Sequence, residues 1–169
     1  MSHALIDSPI GSIALHWRGE VLTGVEIDPA ISGQPAPDAG SVMNRQEEEA
    51  AGPPPSWITR PLSDYFERAA FTFDLPLELE GTPFQQRVWA VLRAIPAGRT
   101  RTYGEVAEEL GSAARAVGQA CRANPCPIVV PCHRVVGRRG LGGFAGDTSG
   151  RRIAVKRWLL DHEGAPHAG

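Results

Sequence analysis

One short segment of the 169-residue chain concentrates the residues that can do chemistry. Residues 125–136 place Cys132 directly before His133 and Arg134, between two β-branched runs. A neighbouring histidine and nearby arginines can turn a thiol into the nucleophilic thiolate at neutral pH. A buried and inert cysteine is the commoner state of this residue type. The segment therefore predicts a buried, strand-like stretch that presents one cysteine at a fixed turn, as a nucleophile or as part of the core.

The three cysteines of the chain all lie between residues 121 and 132. Cys121, Cys126 and Cys132 lack the Cys-x-x-Cys spacing of structural zinc sites and thiol–disulfide enzymes, so we predict no metal and no cofactor. An odd, clustered set of thiols is typical of a reducing compartment and predicts a cytoplasmic protein. The first residues do not resemble a secretory signal. No apolar run reaches the roughly 18 residues of a membrane span, so no membrane partner is expected.

The charge is divided between the two halves of the chain. Residues 1–81 carry thirteen acidic and four basic side chains, whereas residues 82–169 carry thirteen basic and six acidic ones. The halves therefore have net charges of −9 and +7, although the whole chain has a formal net charge of −2. All but one of the 17 basic residues are arginines, which form forked contacts with phosphate. The basic half is thus predicted to face a polyanion such as nucleic acid.

Two segments of the basic half have helical periodicity and clear starts. Capping boxes begin at Thr82 and Thr102, ahead of helices predicted over 83–95 and 103–110. Gly111 is expected to end the second of them.

A third helix is predicted over 113–123, with Ser112 as its cap. Arg115, Gln119 and Arg122 share one face of it, while most of its other residues are alanine or glycine. Two interpretations are open, a tight helix–helix contact with solvated arginines or the DNA-facing helix of a helix-turn-helix motif. The surrounding positive charge favours DNA.

The N-terminal half is predicted to contain a small antiparallel β-sheet. β-rich runs cover 13–17 and 21–27, joined by a short glycine-containing turn. Residues 29–56 lose all periodicity and hold many prolines, which predicts a long surface loop. A short helix is expected over 61–68 and a further strand over 71–77.

The motifs of this chain resemble those of the O6-alkylguanine-DNA alkyltransferases, also called methylated-DNA–protein-cysteine methyltransferases. The resemblance covers most of residues 57–164, and a weaker match lies at 8–11. The matching segments are GTPFQ (81–85), VW (88–89), IPAG (95–98), TYGE (102–105), ARAVG (114–118), NP (124–125), IVVPCHRVVG (128–137) and KRWLLDHEG (156–164). The Pro-Cys-His-Arg-Val step in this context is highly specific for the family.

The resemblance implies an α+β fold, in which a small N-terminal antiparallel β-sheet domain (1–80) packs on a C-terminal helical domain (81–169) with a helix-turn-helix motif. It implies a monomeric DNA repair protein that moves the alkyl group of O6-alkylguanine irreversibly to its own cysteine, with O4-alkylthymine as a second candidate substrate. The partner would be double-stranded DNA, approached through the minor groove.

Roles in catalysis follow from the resemblance residue by residue. Cys132 would accept the alkyl group by direct displacement. His133 would draw off the thiol proton through a water molecule, and Glu163 would orient that histidine, as in a catalytic triad. Asn124 would brace the turn between the DNA-binding helix and the cysteine.

Roles in DNA binding follow in the same way. Tyr103 would hydrogen-bond the flipped base and help to rotate its nucleotide outward, and Arg115 would fill the place left in the stack. Gln119 and Arg122 would lie on the same DNA-facing helix. The carbonyl groups of Cys132 and Val135 would read the guanine amino group, and Ser149 is the candidate in the loop 144–152 to face the alkylated oxygen.

Two further interpretations belong to other classes of protein. One is a non-catalytic damage-recognition protein. Relatives of this kind keep the DNA-binding architecture of the family but replace the reactive cysteine. The presence of Cys132, His133, Asn124 and Glu163 argues against it. The other is a simple helix-turn-helix regulator, which leaves the Pro-Cys-His-Arg step unexplained.

Overall fold

An antiparallel sheet of three strands opens the chain. The computed structural model describes residues 2–27, 53–68, 70–142 and 151–167. The strands are β1 (Ser2–Ser8), β2 (Gly11–Arg18) and β3 (Val21–Ile27), in the order β1-β2-β3. The two predicted strands are confirmed, and β1 is an additional strand that pairs with β2 along its whole length.

One face of this sheet belongs to the core. Ile13, Leu15 and Trp17 alternate along β2 and are buried, as expected for a strand with one apolar face. Leu22 and Val25 of β3 join them, and Val25 N donates to the Pro125 carbonyl at 2.9 Å. The sheet therefore packs directly beside the segment that carries the cysteine.

Five helices make up about half of the remaining described residues. They are α1 (Ser56–Glu67), α2 (Pro83–Arg93), α3 (Tyr103–Leu110), α4 (Ala114–Arg122) and α5 (Arg151–Glu163). Both predicted capping boxes are present, because the Thr82 and Thr102 side chains each accept from a backbone N–H in the first helical turn. Gly111 ends α3 with a φ of 65°, a left-handed conformation that glycine adopts without strain.

Several predicted boundaries were wrong. The helix expected over 61–68 begins at Ser56, with Pro61 tolerated inside its first turns. The residue that caps α4 is Ala113 rather than Ser112, and no side chain caps this helix. The helix expected over 83–95 ends at Arg93.

Two predicted strand-like segments were also wrong. Residues 71–77 form only an isolated parallel bridge between Leu22 and Leu77. The stretch around the cysteine is a series of turns and a 3₁₀ helix, Cys132–Arg134, followed by the short strand β5 (Val135–Val136), which pairs in parallel with β4 (Arg101–Thr102). Around the cysteine the β-rich composition serves burial rather than pairing in a sheet, whereas in 71–77 Leu75 alone is buried.

The fold is α+β, with the N-terminal sheet packed on the helices. One hydrophobic cluster spans the predicted boundary near residue 81 and includes Leu15 of β2, Tyr65 of α1, Trp89 of α2 and Leu159 of α5. The division into two domains at that residue stays a prediction. Most of the loop predicted at 29–56 lies outside the described residues. Within the described ranges, no helix has the length and apolar character to cross a membrane.

Candidate active site

A tight turn places Cys132 at the start of the 3₁₀ helix. Val130 N donates to the Cys126 carbonyl at 2.9 Å, and Cys132 N donates to the Val130 carbonyl at 2.8 Å. Within this turn Ile128 has a φ of 76°, a left-handed conformation that is strained for a β-branched residue. Such strain persists only where the surrounding contacts hold the backbone. The turn therefore holds Cys132 in a fixed position, and the residue is only 6% exposed.

Asn124 connects the end of α4 to this turn. Its Nδ2 donates to the Val130 carbonyl at 2.9 Å, and its Oδ1 accepts from Cys126 N at 2.9 Å. The amide also hydrogen-bonds the side chain of Cys132. The contacts of one side chain thus span the segment between α4 and the thiol.

His133, Arg134 and Glu163 form a buried network beside the cysteine. The side chains of His133 and Glu163 are 0% exposed, and His133 Nε2 lies 2.7 Å from Glu163 Oε2. Arg134 Nε donates to Oε1 at 2.9 Å, and its Nη2 donates to Oε2 at 3.1 Å. Arg134 Nη1 donates to the Ile95 carbonyl at 2.6 Å. The network therefore joins the 3₁₀ helix to the last residue of α5 and to the segment after α2.

A tyrosine from the N-terminal half completes the network. The Tyr65 hydroxyl in α1 donates to Glu163 Oε2 at 2.6 Å, and its side chain is fully buried. Burial, followed by the charge of Glu163, raises the pKa of Tyr65. The phenol therefore stays protonated and is the hydrogen-bond donor to Glu163.

The pKa values of Glu163 and His133 determine which atom carries the proton. Burial alone would raise the pKa of Glu163, but hydrogen bonds and charge from His133 and Arg134 outweigh it and lower the pKa to about 2. Burial lowers the pKa of His133 by more than Glu163 raises it, so the imidazole is neutral at neutral pH. An ionised carboxylate only accepts hydrogen bonds, so His133 donates through Nε2. Its buried Nδ1 then carries the lone pair, and this atom has no hydrogen-bond partner among the described residues.

Burial raises the pKa of the Cys132 thiol, and a hydrogen bond from Asn124 and the charge of Lys156 offset this only in part. The histidine and arginines that were expected to let the thiol become a thiolate do not outweigh burial in the protein without DNA. That the thiolate can form stays a prediction. The resting side chain is a thiol, because the cost of burying a charge exceeds what its neighbours supply.

Lys156 of α5 is a buried cation whose charge acts on this thiol. Its side chain is 0% exposed, its Nζ donates to the carbonyl groups of Val135 and Leu141, and Nζ lies 5.7 Å from the centroid of the Tyr103 ring. Burial lowers the pKa of Lys156 to about 8, although the nearby cysteines Cys132 and Cys121 raise it. At neutral pH most of the molecules therefore carry a positive charge beside the thiol.

The predicted DNA-facing residues of α4 lie together on its open face. Arg115, Gln119 and Arg122 are all exposed. The opposite face is buried and consists of Val117, Ala120 and Cys121. Trp89 Nε1 of α2 donates to the Ala120 carbonyl at 2.9 Å, which anchors the helix from behind.

The remaining predicted residues lie around the cysteine. Tyr103 begins α3 and is half-buried, with its ring against Gly142, where an added Cβ would lie 2.8 Å from a ring carbon. Val135 is buried in β5, and its carbonyl oxygen accepts from Lys156. Ser149 lies outside the described residues.

The parts that Lys156 and Tyr65 play in this site, and the pairing of Arg134 with Glu163, were not predicted from the sequence. Lys156 had a detectable signal, because it is the sole lysine of the chain and lies among apolar residues of a helix. Arg134 had a weaker one, since it belongs to the cysteine motif. Nothing in the sequence around Tyr65 indicated its contact with a residue 98 positions away.

A buried thiol next to a neutral histidine, which an ionised glutamate orients, defines the class of proteins with a nucleophilic cysteine and its own base. Residues 83–165 match the family model described as the DNA-binding domain of 6-O-methylguanine DNA methyltransferase. The chain is also 41% identical over 159 residues to the methylated-DNA–protein-cysteine methyltransferase of Mycobacterium tuberculosis, covering 89% of this chain and 88% of the relative. The chain therefore belongs to the methylated-DNA–protein-cysteine methyltransferase family.

Other relatives extend the similarity over nearly the whole chain. The protein of the same name from Methanosarcina acetivorans is 40% identical over 168 residues, with 98% of this chain and 99% of the relative covered. The crystal structure of Mycobacterium tuberculosis OGT in complex with DNA superposes with a TM-score of 0.76 at 40% identity, covering 98% of this chain and 96% of that one.

Proposed function

We propose that the protein repairs DNA by moving the alkyl group of O6-alkylguanine to Cys132, one group per protein molecule. The observation that carries this proposal is the buried pairing of His133, the residue that follows Cys132 in the chain, with the ionised Glu163. The activity named for its relatives is the same, and those names do not favour the non-catalytic interpretation.

The proton of the thiol needs a base, because the pKa of Cys132 is raised. Glu163 holds His133 with Nε2 as donor, which leaves Nδ1 to accept. A water molecule between Sγ and Nδ1 would carry the proton to the imidazole. The charge of Lys156 favours the thiolate as it forms.

The transfer is a displacement at the alkyl carbon. A bond forms between Sγ of Cys132 and that carbon, while the bond from the carbon to guanine O6 breaks and its electron pair stays on the base. The guanine anion then takes up a proton. In the net reaction the thiol proton is thus transferred, by way of His133, to the guanine. The product thioether is no longer a nucleophile, which limits each molecule to one turnover.

Access to the alkyl carbon requires DNA in which the nucleotide has left the stack, because O6 is shielded inside the duplex. The exposed face of α4, with Arg115, Gln119 and Arg122, is our candidate for the minor groove. Arg115 would occupy the vacated place in the stack, and Tyr103 would contact the flipped nucleotide. Ser149 stays the proposed contact to the alkylated oxygen.

The three cysteines are free and buried, which favours a reducing compartment. We accordingly propose a cytoplasmic location.

Intact-protein and peptide mass spectrometry after mixing the protein with a duplex that contains one O6-methylguanine tests the proposal. We expect a gain of one methylene per molecule, mapped to Cys132, with no further gain in excess DNA. Cys132→Ala should gain nothing, whereas Cys126→Ala, which removes another buried thiol nearby, should gain the group as the unaltered protein does. A methylene on Cys121 or Cys126, or its absence despite tight binding to the same duplex, would contradict the proposal.

A further inference from the structure

The N-terminal half contributes one hydroxyl to the buried network, and that hydroxyl has no role in the reaction described above. Tyr65 of α1 donates to Glu163 Oε2 at 2.6 Å, the same oxygen that accepts from His133 Nε2 at 2.7 Å. Both partners are buried, with Tyr65 at 0% exposed and the Glu163 side chain also at 0%. A hydrogen bond between a neutral hydroxyl and a buried carboxylate is among the stronger ones in proteins.

The carboxylate of Glu163 accepts from four donors of the described residues. An ionised carboxylate has about four acceptor positions, two on each oxygen. Arg134 Nε donates to Oε1, whereas Arg134 Nη2, His133 Nε2 and the Tyr65 hydroxyl share Oε2. Removal of one donor frees the carboxylate to tilt and leaves more negative charge available to the remaining donors. His133 and Arg134 share Oε2 with Tyr65, and His133 makes the shorter contact, 2.7 Å against 3.1 Å, so we expect its pKa to report the change.

Tyr65 is itself held rigidly by its surroundings. Its ring packs against Phe66 at 5.3 Å, Phe73 at 5.4 Å and His162 at 5.2 Å between centroids. His162 Nε2 lies 2.7 Å from the backbone carbonyl of Tyr65. The hydroxyl therefore has a fixed position that depends on α1 and on the packing of the N-terminal half against α5.

We propose that Tyr65 is a positioning residue of the active site, whose hydroxyl fixes the Glu163 carboxylate and thereby sets the orientation and basicity of His133. The N-terminal half then has a part in the reaction as well as in stability. This inference rests on the proposed role of His133 as the base.

The titratable and charged groups that face this site come from three elements. Tyr65 belongs to α1, His133 and Arg134 to the 3₁₀ helix, and Glu163 to α5. Lys156 of α5 also acts on His133, and its charge lowers the histidine pKa after the larger effects of burial, Glu163 and Arg134. His162 of α5 packs against the Tyr65 ring. A variant that leaves all of these groups in place except the hydroxyl isolates the proposed effect.

Tyr65→Phe is that variant, because it keeps the ring and its packing. We expect the pKa of His133, followed by NMR of the imidazole in the whole protein, to rise by roughly one unit, or tenfold in the protonation equilibrium. The acid limb of the pH–rate profile for methyl transfer should move to higher pH by the same amount. A fluorotyrosine placed at Tyr65, as a stronger donor, should move the His133 pKa downward.

Phe73→Leu is the matched control, because it weakens the packing of the Tyr65 ring and retains the hydroxyl. It should lower the free energy of unfolding and leave the His133 pKa unchanged. The inference is overturned if Tyr65→Phe and the fluorotyrosine leave the His133 pKa unchanged, or if Phe73→Leu shifts it as much as Tyr65→Phe does. The NMR titration needs no DNA, so it can fail or succeed independently of methyl transfer by the unaltered protein, which tests the proposed function.

Discussion

The charged side chains of the buried network beside Cys132 and those on the open face of α4 differ in burial and in ion pairing. In the network, the charges of Arg134 and Glu163 are shielded from water and paired at 2.9 Å. On α4, Arg115 and Arg122 are exposed and form no ion pair within the described ranges. Unpaired surface cations are inexpensive for the fold and remain available to an anionic partner, whereas buried charges must be satisfied inside the protein. We infer that substitutions in the network affect stability and chemistry together, and that substitutions on α4 affect the DNA-dependent step alone.

The largest expected effect is that of Glu163→Gln. The change leaves Arg134 buried without its counter-charge, and removal of one partner from a buried ion pair costs about 3–5 kcal/mol. Chemical denaturation measures this loss. The control is Asp161→Asn on the same helix, where the carboxylate is 64% exposed and a change of at most about 1 kcal/mol is expected. Equal losses in the two variants would contradict the difference between buried and exposed charges.

The same network predicts a dependence of stability on acid. The folded pKa of His133 lies below its ordinary value of 6.5, so the unfolded chain binds a proton first and stability falls as the pH drops below about 6.5. The folded pKa of Glu163 is about 2 against an ordinary 4.5, so its contribution is fully present above 4.5 and is lost towards 2. The free energy of unfolding, measured from pH 7 to 2, should decrease over both windows. In Glu163→Gln the loss of stability over the lower window should become smaller, with the capping residue Glu105 still contributing to it, and an unchanged loss would refute the assignment.

The next effect is expected for Arg115→Ala. Loss of the side chain that would fill the stack should slow methyl transfer from duplex by about tenfold or more, since unstacking costs a few kcal/mol. Transfer from a single strand should change little, and stability should change by less than about 0.5 kcal/mol. Arg60→Ala, an exposed arginine of α1, should affect neither substrate. An equal loss of transfer rate on duplex and on single-stranded DNA would contradict a role of Arg115 in moving the nucleotide out of the stack.

A smaller effect is expected for Lys156→Met. Without its charge, the pKa of Cys132 should rise by about one unit, and labelling of that thiol by iodoacetamide at neutral pH should slow about tenfold. Peptide mass spectrometry reports the labelling at Cys132. Arg157→Met removes the adjacent exposed cation of the same helix and should leave the labelling rate as it is. If the two variants behave alike, the buried position of Lys156 has no special influence on the thiol.

Local signals in the sequence were sufficient for some parts of the fold. The capping boxes at Thr82 and Thr102 were predicted correctly because each depends on residues within four positions of one another. The strand expected over 71–77 failed because a strand needs a partner along its length, and only Leu77 finds one, in Leu22. Whether a β-rich run pairs is decided by the tertiary structure.

In the candidate site, too, local features were predictable from the sequence and long-range contacts were not. Cys132 and His133 are adjacent in the chain, and the family motif supplied Glu163. The donors that complete the carboxylate were not predictable, because Tyr65 lies 98 residues from Glu163 and no periodic pattern reaches across that separation. The upward pKa of Cys132 was also missed, since it arises from burial, which adjacency in sequence does not reveal.

The central claim is that His133, held by Glu163, is the base for Cys132. The pH dependence of single-turnover methyl transfer from duplex to Cys132 tests it most directly. We predict a rate that rises with pH through the pKa of the buried His133, which lies below 6.5, and then levels off until Lys156 begins to lose its charge near pH 8. Arg115→Ala should lower this profile without moving it, whereas His133→Asn should abolish the rise and lower the plateau by about 10²–10⁴-fold. A rate in the unaltered protein that keeps rising above pH 9 would follow the thiol itself and would contradict the account.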